Sequence, residues 1–497
     1  MQPPAKVLAI GLDSADAELL RRLCDSGDLP VLESVRARGQ WGPLRSPTGL
    51  ADDGTWASFY TGVSPGRHGR YFFRAITPGS YATPRWKDKY LMHTPFWDVL
   101  SDAGSRIAVI DVPKCPLSTK INGIHVTDWL VHGRDHATAS HPSGLASQLI
   151  SRFGHDRTDC LGASRWLCDS MALEPGSYDE FLASLISSLN DKLTFTAETL
   201  ERGGWDLFLV VFKEAHCAGH KFWHLQDSSH PAFSEPLAAR YGEAVRGVYR
   251  RLDAAIGRLL EIAGPETRVI VFSDLGMASN YTGNLLLGNI LHRLELQRRS
   301  AAGRITLHAQ LAAVAAARRW LGRGGQVFSR SIRQFYALPN GEQSGAIRLN
   351  VVGREPKGII APGAEYDAVC DYLVTALSEL VDPDSGNSIV DKVIRTRDIY
   401  HGPHTDRLPD LLVMWNRRGC ISGAASELIG VIRRADPGIR PGGHIADGLY
   451  CLALPGNRKR QNPVPASIVD IAPTIADWLG HSLHDVDGVP ISTNRVP

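Results

Sequence analysis

The chain lacks most of what would mark it as secreted, fibrous or membrane-embedded. Its eight cysteines, Cys24 to Cys451, are scattered over 497 residues with no Cys-x-x-Cys pair. That is the usage of a large protein with reduced thiols, not of a disulfide framework. No apolar run is long enough to cross a bilayer, and no early apolar segment combines a basic leader with a cleavage-like site. The expectation is a cytoplasmic protein without a membrane partner. Charge of one sign is also missing: 54 Lys and Arg face 52 Asp and Glu, a formal net charge of +2. With no long run of like charges, nothing calls for nucleic acid, and a small-molecule substrate is the expected partner. Internal repeats and low-complexity tracts are absent too, and oligomeric state leaves no signal.

What is present is ordinary globular material, 43% hydrophobic and 21% charged, long enough to bury a large core. Strand-like and helix-like segments alternate. Residues 5–12, 105–112 and 205–212 are apolar and rich in β-branched or aromatic residues, and so is 268–273. Between them, 17–38, 178–203 and 236–263 carry helical spacing, the first interrupted at Asp28-Leu29-Pro30. This alternation predicts an α/β protein with an open, mainly parallel sheet and helices on both faces. From 280 to 345 the texture turns to Ala, Arg and Leu, read as an inserted helical cap. It separates a first part of the core, 1–279, from a second part, 346–497.

Chemistry concentrates where apolar strands end. After Leu207–Phe212 come Glu214, His216, Cys217, His220 and His224. His216 and His220 stand i, i+4, so a helix would place both imidazoles on one face, close enough to share an ion. Asp13 and Asp274 each close a β-branched run, at the strand ends where α/β proteins build sites. A strand-terminal Asp also serves as a helix N-cap or turn former, so neither is decisive alone. His444 follows Gly442-Gly443, glycines that permit close backbone approach to a site.

Taken in order, these segments resemble the alkaline phosphatase superfamily, in its type I phosphodiesterase and nucleotide pyrophosphatase branch. The likeness rests on the strand ending at Asp13, on Thr55 to Gly69, and on the His220 segment. Ser273-Asp274-Leu275-Gly276, Pro409-Asp410, His444 and Asp470-Ile471-Ala472-Pro473-Thr474 complete it. The resemblance implies an α/β sheet with a cap and two metal ions flanking a nucleophile. It makes Asp13 and Asp274 ligands of one ion, and His220 and His444 ligands of the other.

Three departures change what is implied. His216 stands where the family has a carboxylate, giving a site of three imidazoles suited to one zinc. Leu275 replaces the family's histidine, leaving an oxygen-only second site for Mg, Mn, Ca or Zn, or an empty one. At the nucleophile's position an ungapped count from Thr61-Gly62 falls on Asp52, and a small gap would bring Thr48 instead. Thr55 falls where an orienting asparagine is common. Asp52, Thr48 and Thr55 are therefore the catalytic candidates in that order, and Asp52 serves equally as a cap of the following helix. The resemblance implies a metal-dependent hydrolase or transferase acting on an ester, first a phosphoester or phosphodiester. Other readings are a degenerate member that binds without catalysis, and acyl or sulfuryl transfer on the same scaffold.

Overall fold

The computed structural model describes residues 5–158, 173, 175–321, 323–434, 440–456, 459 and 461–491. Its centre is a nine-stranded sheet in which five neighbouring strands run parallel: Arg268–Ser273, Ala5–Leu12, Trp205–Phe212, Ile107–Ile110 and Gly123–Thr127. Asp447–Ala453 joins Arg268–Ser273 antiparallel, followed outward by Gly39–Arg45 and Ala466–Ser467. Ala139–His141 closes the other edge, also antiparallel. The mainly parallel α/β sheet expected from the alternation is therefore present, with mixed edges.

The period-2 rule explains why both faces are covered. In the first strand, Leu8, Ile10 and Leu12 enter one apolar cluster, while Val7 and Ala9 enter the other. The first cluster is roofed by the helices Tyr178–Glu201 and Ala244–Ala263, the second by Asp52–Thr61 and Ile471–Trp478. The helix expected over 236–263 is two helices, Glu235–Tyr241 and Ala244–Ala263, because the chain turns at Gly242.

Residues 284–331 form the helices Asn284–Arg298, Ala301–Leu321 and Arg323–Ser331. The strands that follow do not all return to the large sheet. Phe335–Leu338, Ser344–Leu349, Val390–Arg395 and Leu411–Trp415 make a separate four-stranded sheet with its own apolar cluster. Strand-helix alternation signals elements but carries no information about which sheet receives them. Among the described residues no helix is long and apolar enough to cross a membrane.

Candidate metal centre

Because the five central strands are parallel, their carboxyl ends lie on one edge, and the polar residues that follow them gather there. Asp13 follows the first strand, and its amide donates to Phe212 O at 2.8 Å, tying it to the neighbouring strand's end. Asp274 follows Arg268–Ser273, and its Oδ1 accepts from Ser14 N at 2.8 Å. The helix Glu214–Phe222 starts two residues after Phe212 and carries His216 and His220 one turn apart. His444 comes from the strand Gly442–Ile445, paired antiparallel with Gly276–Ser279 so that His444 faces Met277. Glycine is required there: a Cβ on Gly442 would meet Gly219 O at 2.1 Å. That close approach brings the hairpin against the histidine helix.

The three imidazoles form a nearly equilateral set. Ring centres are 4.6 Å apart for His216–His220, 4.6 Å for His216–His444 and 4.7 Å for His220–His444, with planes at 69°, 87° and 81°. Tetrahedral zinc with Zn–N of about 2.0–2.1 Å puts its imidazole ring centres roughly 5 Å apart, so the set fits after a small expansion. The outer nitrogens are already engaged. His216 Nδ1 lies 2.9 Å from Asp13 Oδ2, and His220 Nδ1 hydrogen-bonds Gly442 O at 2.8 Å. The Gly442 contact fixes the His220 tautomer and leaves its Nε2 as the lone-pair donor. His220 Nε2 and His444 Nδ1 are buried without a hydrogen-bond partner among the described residues. Burial, reinforced by neighbouring cations and imidazoles, holds His220 and His444 well below the usual imidazole pKa, so both stay neutral as ligands must.

Sequence reasoning missed His132. One nitrogen from each of His132, His216 and His220 lies within 4.8 Å of the others, so proximity alone would make it a ligand. Its ring, however, stacks on His216 at 3.7 Å with planes only 26° apart. An imidazole lone pair lies in the ring plane. Two near-parallel rings at that spacing cannot aim at one ion, so His132 covers one face of His216, and His444, 4.6 and 4.7 Å from the His216 and His220 rings, is the third candidate ligand. The only signal in the sequence was its place, five residues beyond the strand Gly123–Thr127.

Beside the imidazoles stand three carboxylates. Burial raises Asp13 to about 7; Asp274 goes well above the usual range by burial and then by Asp13. Asp52 is raised to about 7 by burial and then by Asp53. Asp274 Oδ2 is buried without a hydrogen-bond partner. Asp52 opens the helix Asp52–Thr61, whose residues from Asp53 onward are all buried, with Trp56 and Phe59 packed on Phe272 of the sheet. Of the three catalytic candidates, Asp52 lines the cleft over the imidazoles; Thr48 and Thr55 do not. Thr55 Oγ1 turns back to Ala51 O at 3.4 Å, and Thr48 offers its carbonyl to the Tyr400 hydroxyl at 2.9 Å.

The cleft, of about 300 Å³, is lined by Asp52, Lys114, His132, Glu342, Arg440 and His444 among others. Lys114 also escaped the sequence reading. Its backbone is left-handed, φ +59°, a conformation uncommon outside glycine, and its carbonyl is pinned by Arg70 Nη1 at 2.6 Å and the Tyr60 hydroxyl at 3.1 Å. Burial opposes its charge, but Asp53, Asp135 and Asp52 more than offset this and raise its pKa. Arg70 itself is buried and bound to Asp53 at 2.8 Å and Asp135 at 2.5 Å, so it braces the cleft wall and is not a surface anion contact.

A family model for type I phosphodiesterase / nucleotide pyrophosphatase matches residues 7–428. Phosphonoacetate hydrolase from Sinorhizobium meliloti 1021, solved with phosphonoformate, superposes with a TM-score of 0.50 at 12% identity, covering 97% of this chain and 96% of that one. Murine ectonucleotide pyrophosphatase / phosphodiesterase 5 gives 0.50 at 12% identity, covering 97% of each chain. The human protein of the same name gives 0.50 at 11% identity, again covering 97% of each. No match is found among curated protein sequences. The span of the family match, on an alkaline phosphatase-like sheet with its polar residues at the strand ends, places the chain in the type I phosphodiesterase and nucleotide pyrophosphatase family of phosphoesterase-like hydrolases.

Proposed function

We propose that the chain hydrolyses a phosphoester, a phosphodiester first, at a zinc held by His216, His220 and His444. The observation that carries this is the near-equilateral arrangement of three steeply inclined imidazoles beside the cleft. Zinc bound there would polarise a phosphoryl oxygen and leave a position open for substrate. The protein's own groups supply the rest. Lys114 and Arg440 line the cleft and attract an anionic group, while Asp13 orients His216. Glu342, 2.5 Å from Arg440 Nε, holds that guanidinium at the mouth. Asp13 and Asp274, with Leu275 fully buried beside them, fit an oxygen-coordinated second cation and not a second zinc. Phosphonates and nucleotides, named for the structural relatives, are the substrate classes to try after simple diesters.

The test is hydrolysis of bis(4-nitrophenyl) phosphate by protein stripped of metal and reloaded with zinc. Turnover that returns with one zinc per chain and vanishes in His220→Ala supports the reading. Undiminished turnover by His220→Ala would remove it. The loss of the histidine at Leu275 favours a second reading, binding without catalysis, which the same assay would reveal as ligand retention without turnover.

A further inference from the structure

We propose that Arg85, with Arg74 beside it, holds a second anionic group of the substrate, so that the cleft selects phosphoryl compounds carrying a carboxylate or a further phosphate at their far end. The proposal deepens the reading above and rests on it for the reacting phosphoryl group only.

Arg85 stands on a two-stranded ribbon at the rim of the cleft. Trp86 N donates to Phe73 O at 2.8 Å, Ala75 N to Pro84 O at 3.3 Å and Thr77 N to Ala82 O at 3.2 Å. Gly79, at φ +69°, turns the chain between the two strands. Tyr81 fastens the ribbon: its hydroxyl donates to Asn350 Oδ1 at 2.8 Å, and its carbonyl accepts from the buried Arg330 at 2.7 Å. Side chains alternate along an extended strand. Trp86 therefore enters the apolar cluster with Tyr71 and Tyr81, while Arg85 is exposed and joins Phe72 and Phe73 in lining the cleft, whose inner end is the buried His444.

Arg74 is paired directly across from Arg85, and both guanidinium groups lie 5.6 Å from the Phe73 ring centre. Like charges opposite one another on a ribbon are destabilising, and one aromatic face is a weak counterpart to two cations. Neither guanidinium has a hydrogen-bond or carboxylate partner among the described residues. Asp135 feels Arg85 only after burial, Lys114 and Arg70, and its Oδ2 is bound to Arg70 at 2.5 Å. The other two cations of the cleft are committed: Lys114 Nζ donates to Gly133 O at 2.5 Å, and Arg440 Nε is 2.5 Å from Glu342. Arg85 is thus the uncommitted cation of the cleft, facing solvent at the end away from the imidazoles. A guanidinium takes two oxygens of a carboxylate or phosphate at once, which suits it to the far end of a substrate whose reacting phosphoryl group lies at the imidazoles.

Zinc-loaded protein titrated calorimetrically with phenylphosphonate, 4-carboxyphenylphosphonate and benzene-1,4-diphosphonate tests this. The readout is the affinity of each two-ended compound relative to phenylphosphonate within one protein, a ratio that a general loss of fold or metal does not imitate. Wild type is expected to favour at least one two-ended compound by about tenfold or more, and the larger of the two ratios tells carboxylate from phosphate. Arg85→Ala, confirmed folded by circular dichroism, is expected to bring both ratios to within about threefold of one, and Arg85→Lys to keep part of the preference. Ratios near one in wild type, or wild-type ratios retained in Arg85→Ala, would overturn the proposal. Failure of the zinc reading has a different signature: phenylphosphonate bound equally by zinc-loaded and metal-free protein, with the ratios still dependent on Arg85.

Discussion

The imidazole side and the carboxylate side of the cleft share one sheet edge but satisfy their polar atoms in opposite ways. His220 has its outer nitrogen hydrogen-bonded to Gly442 O and is kept uncharged by burial, while His216 Nδ1 lies against Asp13 Oδ2. That half is ordered by contacts within the protein. Asp13 and Asp274 instead lie buried, with Asp52 partly exposed at the cleft, and each carboxyl is pushed upward in pKa. They demand protons or a cation. Soft-to-borderline and hard ligand chemistry are thus separated by only a few side chains, with Asp13 belonging to both.

The comparison can be broken most severely on the imidazole side. His220→Ala removes one of three ligands, and zinc content is expected to fall below one tenth of the wild-type value with turnover reduced by about a thousandfold or more. The sheet core does not depend on His220, so circular dichroism should be unchanged. Asp13 and Asp274 separate next. Asp13→Asn removes the carboxylate that orients His216 and is expected to weaken zinc binding by roughly 10–100-fold, measured by chelator competition. Asp274→Asn, which touches no imidazole of the set, should leave zinc affinity within about threefold and weaken only the hard-cation site. Equal zinc losses in the two variants would erase the distinction between the halves.

Leu275→His sharpens the contrast from the other direction. It returns an imidazole to the oxygen-only half, and zinc stoichiometry is expected to rise from one toward two per chain. A variant that stays at one zinc would show that the carboxylate half rejects zinc for reasons beyond its donors.

Much of this division is visible in the amino-acid order, and some is not. Strand-end acids and an i, i+4 histidine pair can be read because β-branched runs fix where strands stop and helical spacing fixes which side chains share a face. Asp13, His216, His220 and Asp274 belong to that class, and so do the helices Ala17–Asp25 and Pro30–Ala37 around Asp28-Leu29-Pro30. His132 and Lys114 do not. Each lies in a loop beyond a short strand, and its place is set by tertiary contacts: stacking on His216 in one case, Arg70 and Tyr60 holding a left-handed backbone in the other. The separate sheet of Ser344–Leu349 and Leu411–Trp415 was equally hidden, since pairing partners leave no local pattern.

The smallest expected effect concerns pH. Asp52 titrates near 7 in the folded protein without metal, against an ordinary carboxylate value in the unfolded chain, so its protonated form is favoured on folding. Its contribution is present below about pH 4 and is lost as pH rises through about 7. Metal-free Asp52→Asn should therefore match wild type in thermal stability at pH 4 and exceed it by a few degrees at pH 7.5. A difference that shrinks with rising pH would reverse the sign and with it the account of the carboxylate half.

The most direct measurement is X-ray absorption at the zinc edge on protein loaded with one equivalent. Three imidazole nitrogens at about 2.0–2.1 Å, with the signal lost in His216→Ala and His444→Ala but kept in His132→Ala, is the expected result. A sulfur shell near 2.3 Å from Cys217, or a zinc environment indifferent to His444, would contradict the three-imidazole centre.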